Sequence, residues 1–306
     1  MKLRFTHLAS TLAAALLLLT ACGGDEGGPL DTTEGQQTPT DTVVVGSANF
    51  PENVLLAEIY AGALTAKGVK ASTKLNIGSR EIYIPALQDG SIDLLPEYTG
   101  NLTLHYNMNA TAKTPDEVYA ELAKALPQGL IVLDKSAAED KDAVVVTKAT
   151  ADRLKLKTIE DLKAQAPQLI LGGPPEWRDR FTGVPGLKQV YGLQFKEFKP
   201  LDVAGPLTVK ALTDGTVDAA NLFTTQSAIA TNNFVALDDP KSFFLAQNVV
   251  PVIREAKASP TVRDALNAVS AKLTTQNLTE MVKRVEVDKD DAKTVAKDFL
   301  QQNGLS

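Results

Sequence analysis

Ala86-Leu87-Gln88-Asp89-Gly90-Ser91-Ile92-Asp93-Leu94 and Ala211-Leu212-Thr213-Asp214-Gly215-Thr216-Val217-Asp218-Ala219 are two copies of one pattern. Each reads as a helix end, an Asp-Gly stop and a short apolar strand. Glycine suits the left-handed position just past a helix, because it has no Cβ to clash there. A helix feeding a buried strand through a tight turn is the αβ half of a β-α-β unit. Carried onward without a gap, the register sets Tyr98-Thr99 over Phe223-Thr224, so an aromatic and a threonine follow each strand. Two copies predict two similar α/β lobes.

The flanks extend the pattern. Thr42-Val43-Val44-Val45 is a β-rich run that stops at Gly46-Ser47, and Gln168-Leu169-Ile170-Leu171 stops likewise at Gly172-Gly173. Val54, Leu55, Ala57, Ile59, Ala61 and Leu64 follow the first run at mixed three- and four-residue spacing, which predicts a helix. Ligands bind at the carboxyl ends of strands in open α/β sheets. The loops after Val45, Leu94, Leu171 and Ala219 are therefore expected to converge on one cleft. Ala143-Val144-Val145-Val146 reads as a strand entering from a crossing segment, and Val249-Val250-Pro251-Val252-Ile253 as its counterpart at the other end. From Thr261 to Leu300, Val262, Ala265, Leu266, Val269, Leu273, Val295, Phe299 and Leu300 keep helical spacing. That tail is expected to return to the first lobe. The expected organisation is a first lobe over 42–140, a second over 141–245 and a return over 246–306, with two crossings forming a hinge.

The amino terminus reads as an address. Lys2 and Arg4 precede an almost wholly apolar run from Leu8 to Leu19, and Leu19-Thr20-Ala21-Cys22 follows. The run falls short of the roughly 20 residues that span a bilayer, so 1–21 reads as a signal peptide. The Leu-x-Ala-Cys ending resembles the bacterial lipobox, in which the cysteine sulfur is acylated and becomes the new amino terminus. Cys22 is the single cysteine, so no intrachain disulfide is possible. The stretch 22–41 is rich in Gly, Thr, Gln, Pro and acids, the composition of a flexible tether.

Composition excludes several classes of function. A net charge of −6 argues against a nucleic-acid partner, whose phosphates demand a basic face. His7 and His105 are the two histidines, too few to build a metal centre with a thiol partner. No histidine stands beside a plausible nucleophile, and Ser47 has no base partner in sequence. No Gly-x-Gly-x-x-Gly occurs, and no pair of carboxylates is set as a glycosidase needs. An exported enzyme is the weakest reading. No metal and no cofactor are expected, and the chain is expected to act as a monomer.

Several stretches carry a family resemblance. Val45-Gly46-Ser47-Ala48-Asn49-Phe50-Pro51-Glu52-Asn53 and Asp93-Leu94-Leu95-Pro96-Glu97-Tyr98-Thr99-Gly100 resemble substrate-binding proteins of osmoprotectant (glycine betaine/choline/carnitine) ABC transporters. So do Leu156-Lys157-Thr158-Ile159-Glu160-Asp161-Leu162, Pro175-Glu176-Trp177 through Pro185-Gly186-Leu187, Tyr191-Gly192-Leu193, and Phe243-Phe244 through Ile253-Arg254. The resemblance implies a two-lobed α/β periplasmic-binding-protein fold of type II, with two interlobe crossovers. It also implies a small-molecule ligand, an ABC permease with its ATPase as partners, and a lipid-anchored place on the outer face of the cytoplasmic membrane. A ligand-sensing lipoprotein of the same fold, without a permease, needs the same closing cleft.

The resemblance also implies a site. Members that hold quaternary ammonium ligands use an aromatic cage, since ring faces attract a cation that has no hydrogen to donate. The cage tyrosine is present as Tyr98, and its second-lobe counterpart is Phe223. Two further cage tyrosines fall on Asp142, in the run Glu139-Asp140-Lys141-Asp142, and on Gln247. Asp140 and Asp142 thus stand where the chain enters the second lobe. Asn101 replaces the threonine three residues after the cage tyrosine, and Asn53 takes the place of another polar ligand contact. Arg180 keeps the position of an arginine able to grip a ligand carboxylate. Half the cage is replaced by polar groups. The expected ligand is therefore polar, bearing a hydroxyl or amine and possibly a ring, with glycine betaine bound weakly. A quaternary ammonium with Asp142 as its counter-ion is the second reading. Arg80 and Arg178 are expected on the surface or in salt bridges rather than on the ligand, Trp177 either to pack or to touch the ligand, and His105 and Tyr106 to be structural.

Overall fold

The structure, a computed structural model, describes residues 41–306. The expected signal peptide, Cys22 and the tether up to residue 40 lie outside the described residues. The chain begins with β1 (Val43–Gly46), α1 (Pro51–Ala66), β2 (Ala71–Lys74), α2 (Arg80–Gln88), β3 (Leu94–Tyr98) and α3 (Thr99–Tyr106). Then come α4 (Pro115–Ala125), β4 (Leu130–Val132), β5 (Asp142–Thr147), α5 (Lys148–Leu154) and β6 (Ile170–Gly173). A short α6 (Val184–Gly186) precedes β7 (Glu197–Pro200), α7 (Pro206–Thr213), β8 (Ala219–Phe223), α8 (Ser227–Thr231) and β9 (Phe234–Ala236). After β10 (Val249–Arg254) the chain ends in α9 (Pro260–Ser270), α10 (Thr275–Glu286) and α11 (Ala292–Gln302).

The strands form two five-stranded sheets, ordered β2-β1-β3-β10-β4 and β7-β6-β8-β5-β9. Each has a parallel set and one central antiparallel strand, β10 in the first and β5 in the second. That central strand comes from the crossing chain in both cases, so the lobes repeat one topology. The chain crosses twice, between β4 and β5 and between β9 and β10. The two crossing segments pair with each other. Asp140 N donates to Gln247 O at 3.1 Å, Val249 N to Ala138 O at 3.0 Å and Ser136 N to Val249 O at 2.9 Å.

The repeated sequence has a repeated job. Gly90 and Gly215 take positive φ at the ends of α2 and α7. Ile92 N then bonds back to Ala86 O, and Val217 N to Ala211 O, each at 3.1 Å, which satisfies carbonyls that a helix end leaves free. The aspartate immediately before each strand reaches the neighbouring strand. Asp93 Oδ2 accepts from Val44 N at 3.0 Å, and Asp218 Oδ2 from Ile170 N at 2.9 Å.

Helix α1 is buried on almost every side, with Leu55, Leu56, Ile59 and Leu64 fully covered. Its mixed spacing has that cause: one face meets the first sheet, and the other meets α9, α10 and α11. The tail is three helices rather than one, with breaks at 271–274 and 287–291. Thr274 and Asp291 cap the second and third. Among the described residues no helix is long and apolar enough to cross a membrane.

Candidate ligand cleft

Four loops meet between the sheets. From β1 come Ala48 and Phe50, from β3 Tyr98 and Asn101, from β6 Trp177 and Arg180, and from β8 Asn221 and Phe223. They line a narrow cleft with about 50 Å³ of free space.

Aromatic rings form one side. Phe50 lies 6.1 Å from Tyr98, nearly parallel, and 5.2 Å from Phe223 of the opposite lobe. Phe50 sits at the start of α1, where Pro51 sets the helix entry and leaves the ring directed at the cleft. Three rings thus meet where the resemblance supplied two. The sequence reasoning missed Phe50; its place in Ala48-Asn49-Phe50-Pro51-Glu52, just before a helix start on a strand-end loop, was the available signal.

Acids and amides form the other side. Asp142, 5% exposed, opens β5 directly opposite Phe223 in the β5–β8 ladder. Its oxygens accept from Asn101 Nδ2 across the lobes and from Asn221 Nδ2 beside it, both at 2.8 Å. The buried oxygens Asn101 Oδ1 and Asn221 Oδ1 accept no hydrogen bond within the protein. Burial pushes the Asp142 carboxyl up, against the pull of its two amide donors. Asn221 was also missed; it stands over Pro96 in the repeat, so nothing in that pairing marked it.

A second acidic group lies beneath Tyr98. Glu52 Oε1 accepts from the Tyr98 hydroxyl at 2.7 Å, and Glu52 Oε2 from Thr225 Oγ1 of the second lobe at 2.6 Å. Asp140, which lines the cleft, accepts from Thr225 N at 3.1 Å. Burial raises the pKa of both Glu52 and Asp140, and the nearness of the two carboxyls raises Asp140 further.

Two expected ligand contacts lie behind the wall instead. Asn53 accepts from Ala48 N at 2.7 Å and donates to Pro96 O at 3.0 Å, so its amide ties the β1 loop to β3. Gln247 accepts from Asn101 N at 2.9 Å, fixing the start of α3, while its Nε2 finds no acceptor within the protein. Tyr98, Phe223, Asp140, Asp142, Asn101 and Arg180 do border the cleft. Arg180 pairs with Glu81 across it, Nε to Oε1 at 2.8 Å and Nη2 to Oε2 at 2.7 Å. Arg80 borders the cleft too, but its fork holds the buried Glu97 at 2.9 and 2.8 Å. Trp177 is buried and stacks on Phe244, a packing role. Arg178 lies over the Phe198 ring and His105 packs edge-on to Tyr106.

Two sheets of one topology, two paired crossings and a cleft built from strand-end loops define a two-lobed type II periplasmic binding protein. The chain belongs to the OpuAC family, the substrate-binding domain of ABC-type glycine betaine transport systems, whose family pattern matches residues 41–302. It is 28% identical to the glycine betaine-binding protein YehZ of Escherichia coli over 86% of this chain and 90% of that one. It is 26% identical to the ergothioneine transport permease/ergothioneine binding protein EgtU of Helicobacter pylori, over 86% of this chain and 48% of that longer one. A solved glycine betaine/carnitine/choline ABC transporter structure superposes with a TM-score of 0.68 at 22% identity, covering 86% of this chain and 99% of the other. The chain is thus a substrate-binding component of an osmoprotectant-type ABC transport system.

Proposed function

We propose that the chain binds a small cation bearing hydrogen-bond donors, such as a hydroxyl- or amine-bearing ammonium compound, and delivers it to an ABC permease. The observation that carries this reading is Asp142 with its two flanking amides. Asp142 is buried against neutral donors alone, and a buried carboxylate without a cation is costly. A ligand cation supplies that charge, while its N–H or O–H groups satisfy Asn101 Oδ1 and Asn221 Oδ1. Arg80 and Arg180 act on Asp142 only through space, because their forks are engaged by Glu97 and Glu81. Phe50, Tyr98 and Phe223 add ring faces, each giving about 0.5–2 kcal/mol to a cation set against it. A fully methylated ammonium without other donors uses the rings but leaves both amide oxygens unpaired.

The relatives named for glycine betaine, carnitine and ergothioneine make these compounds the natural competitors. Calorimetry with choline, glycine betaine, carnitine, ergothioneine and a set of primary amines tests the reading. A donor-bearing cation is expected to bind at least tenfold tighter than glycine betaine. Asp142→Asn is expected to weaken it by about 30-fold or more, since breaking a buried charge pair costs at least about 2 kcal/mol. Glycine betaine binding tightest, and indifferent to Asp142→Asn, overturns it. The ligand is expected to be recovered unchanged after incubation, as binding without turnover requires.

The address segment supports an exported chain held on the outer face of the cytoplasmic membrane through acylated Cys22. Acyl chains gain about 0.8 kcal/mol per buried CH₂, so a multiply acylated cysteine anchors without a spanning helix. Cys22→Ser is expected to leave the chain unprocessed or to move it into the soluble fraction. A processed Cys22→Ser chain still on the membrane counts against the anchor.

A further inference from the structure

Arg180 is held by the opposite lobe. Its side chain borders the cleft from the loop after β6, yet its fork points to Glu81 in the first turn of α2. Ser79 Oγ donates to Glu81 Oε2 at 2.7 Å and fixes that carboxylate from its own side. Glu176 lies 3.7 Å from the same Arg180 Nη2. Glu81 is half exposed, yet the hydrogen bonds from Arg180 lower its carboxyl to about 2, outweighing its partial burial. Glu81 is therefore an anion at neutral pH. A bidentate carboxylate saturates the face of the guanidinium fork it occupies.

A ligand carboxylate that approaches Arg180 must displace Glu81 from the Nε–Nη2 edge or use the remaining N–H groups of a guanidinium whose charge Glu81 already offsets. Displacement leaves Glu81 without its cation and beside Glu176, so the exchange gains little. Arg80 offers no alternative, because Glu97 takes it in the same way from within the first lobe. Both guanidinium groups bordering the cleft are thus neutralised by carboxylates of the protein itself.

We propose that Glu81 is a specificity-determining residue, an internal carboxylate that occupies Arg180 when the lobes meet and so selects cations without a carboxylate over zwitterions. The inference rests on reading the cleft as a cation site, and it adds the prediction that choline outcompetes glycine betaine for a reason separate from Asp142. These two ligands share a trimethylammonium and differ in a hydroxymethyl against a carboxylate, so they isolate the effect.

The experiment is calorimetry of both ligands with the wild type, Glu81→Gln and the Glu81→Gln/Arg180→Gln double variant. Glu81→Gln is expected to raise glycine betaine affinity at least tenfold and to lower the choline-to-betaine selectivity by a similar factor. The gain is expected to vanish in the double variant, because the freed guanidinium is what captures the carboxylate. Betaine affinity within twofold of wild type in Glu81→Gln overturns the inference, as does a gain that persists in the double variant. Wild type binding neither of these ligands, nor any of the primary amines, refutes the cation reading of the site. Even then, acquisition of betaine binding by Glu81→Gln supports the role of Glu81, and its failure to acquire any refutes it. Glu81→Ala serves as a second variant, with circular dichroism to show that each chain is folded.

Discussion

Glu97 is the most demanding single residue of the first lobe. It is fully buried and accepts from Arg80 Nε and Nη2, from the Tyr83 hydroxyl at 2.8 Å and from Tyr98 N at 3.0 Å. Burial alone pushes its carboxyl up, but Arg80 and these donors hold it below its ordinary value. Glu97→Gln strands a buried guanidinium, and removal of one partner from such a pair costs about 3–5 kcal/mol. Urea denaturation is expected to show a loss of that order, and a loss under 1 kcal/mol would mean that water reaches Arg80. Because Tyr98 follows Glu97 directly, the variant also loosens the ring that faces Phe50. Three residues of the wall thus share one electrostatic anchor, and the Pro96-Glu97-Tyr98 run carries packing and recognition together.

At the scale of elements, the carboxyl end of α10 meets the second lobe. There burial pushes Glu286 up to about 7 from 4.5; the Gln226 side chain offsets part of this and the Glu52 charge adds to it. The folded chain therefore holds a proton that the unfolded chain releases near 4.5. This contribution to stability is fully present below about 4.5 and is lost as pH rises through 7. The urea midpoint of wild type is expected to fall between about pH 5 and pH 8, and Glu286→Gln to fall less. Parallel falls assign the slope elsewhere. Helix α11 gives a second test. Phe299 is 4% exposed in the core it shares with α1, so Phe299→Ala is expected to cost about 3–5 kcal/mol. A loss below 1 kcal/mol would mean that the tail docks only loosely.

These elements also show what reading the sequence can reach. The two lobes were legible because Asp93 and Asp218 do the same backbone work, and identical work leaves identical letters. Helix α1 was legible as a helix, while its burial on all sides depends on a tail more than 200 positions away. Asn53 and Gln247 were placed in the site by likeness, but backbone groups take up the oxygens of both amides. Spacing does not report what an amide is bonded to. Phe50 and Asn221 escaped because their partners, Phe223 and Asp142, lie across a cleft or along a ladder that no local pattern encodes. Acid pairs such as Glu52 and Asp140 become visible only once two crossing segments and a helix start are brought together.

The whole molecule turns on contacts that exist only when the lobes meet. Thr225 to Glu52, Asn101 to Asp142, Arg180 to Glu81 and the Phe50–Phe223 ring contact all join one lobe to the other. The two crossing segments are bonded to each other and carry Asp140 on one and Gln247 on the other. A ligand that adds contacts to both walls shifts the balance toward closure by its differential affinity for the closed state. Thr225 offers a way to move that balance without touching the cleft lining. Thr225→Val keeps the shape but removes the hydroxyl that donates to Glu52, a net loss of about 1 kcal/mol from the closed form alone. Apparent affinity scales with the closed fraction, so the ligand should bind about fivefold more weakly when closure is the limiting step. Small-angle scattering of the free variant should give a larger radius of gyration than wild type, and saturating ligand should bring the two together. Weaker binding with an unchanged radius would place the effect of Thr225 on Glu52 and Tyr98 locally, and the closing clamp would then have to rest on Arg180 and Asn101 instead.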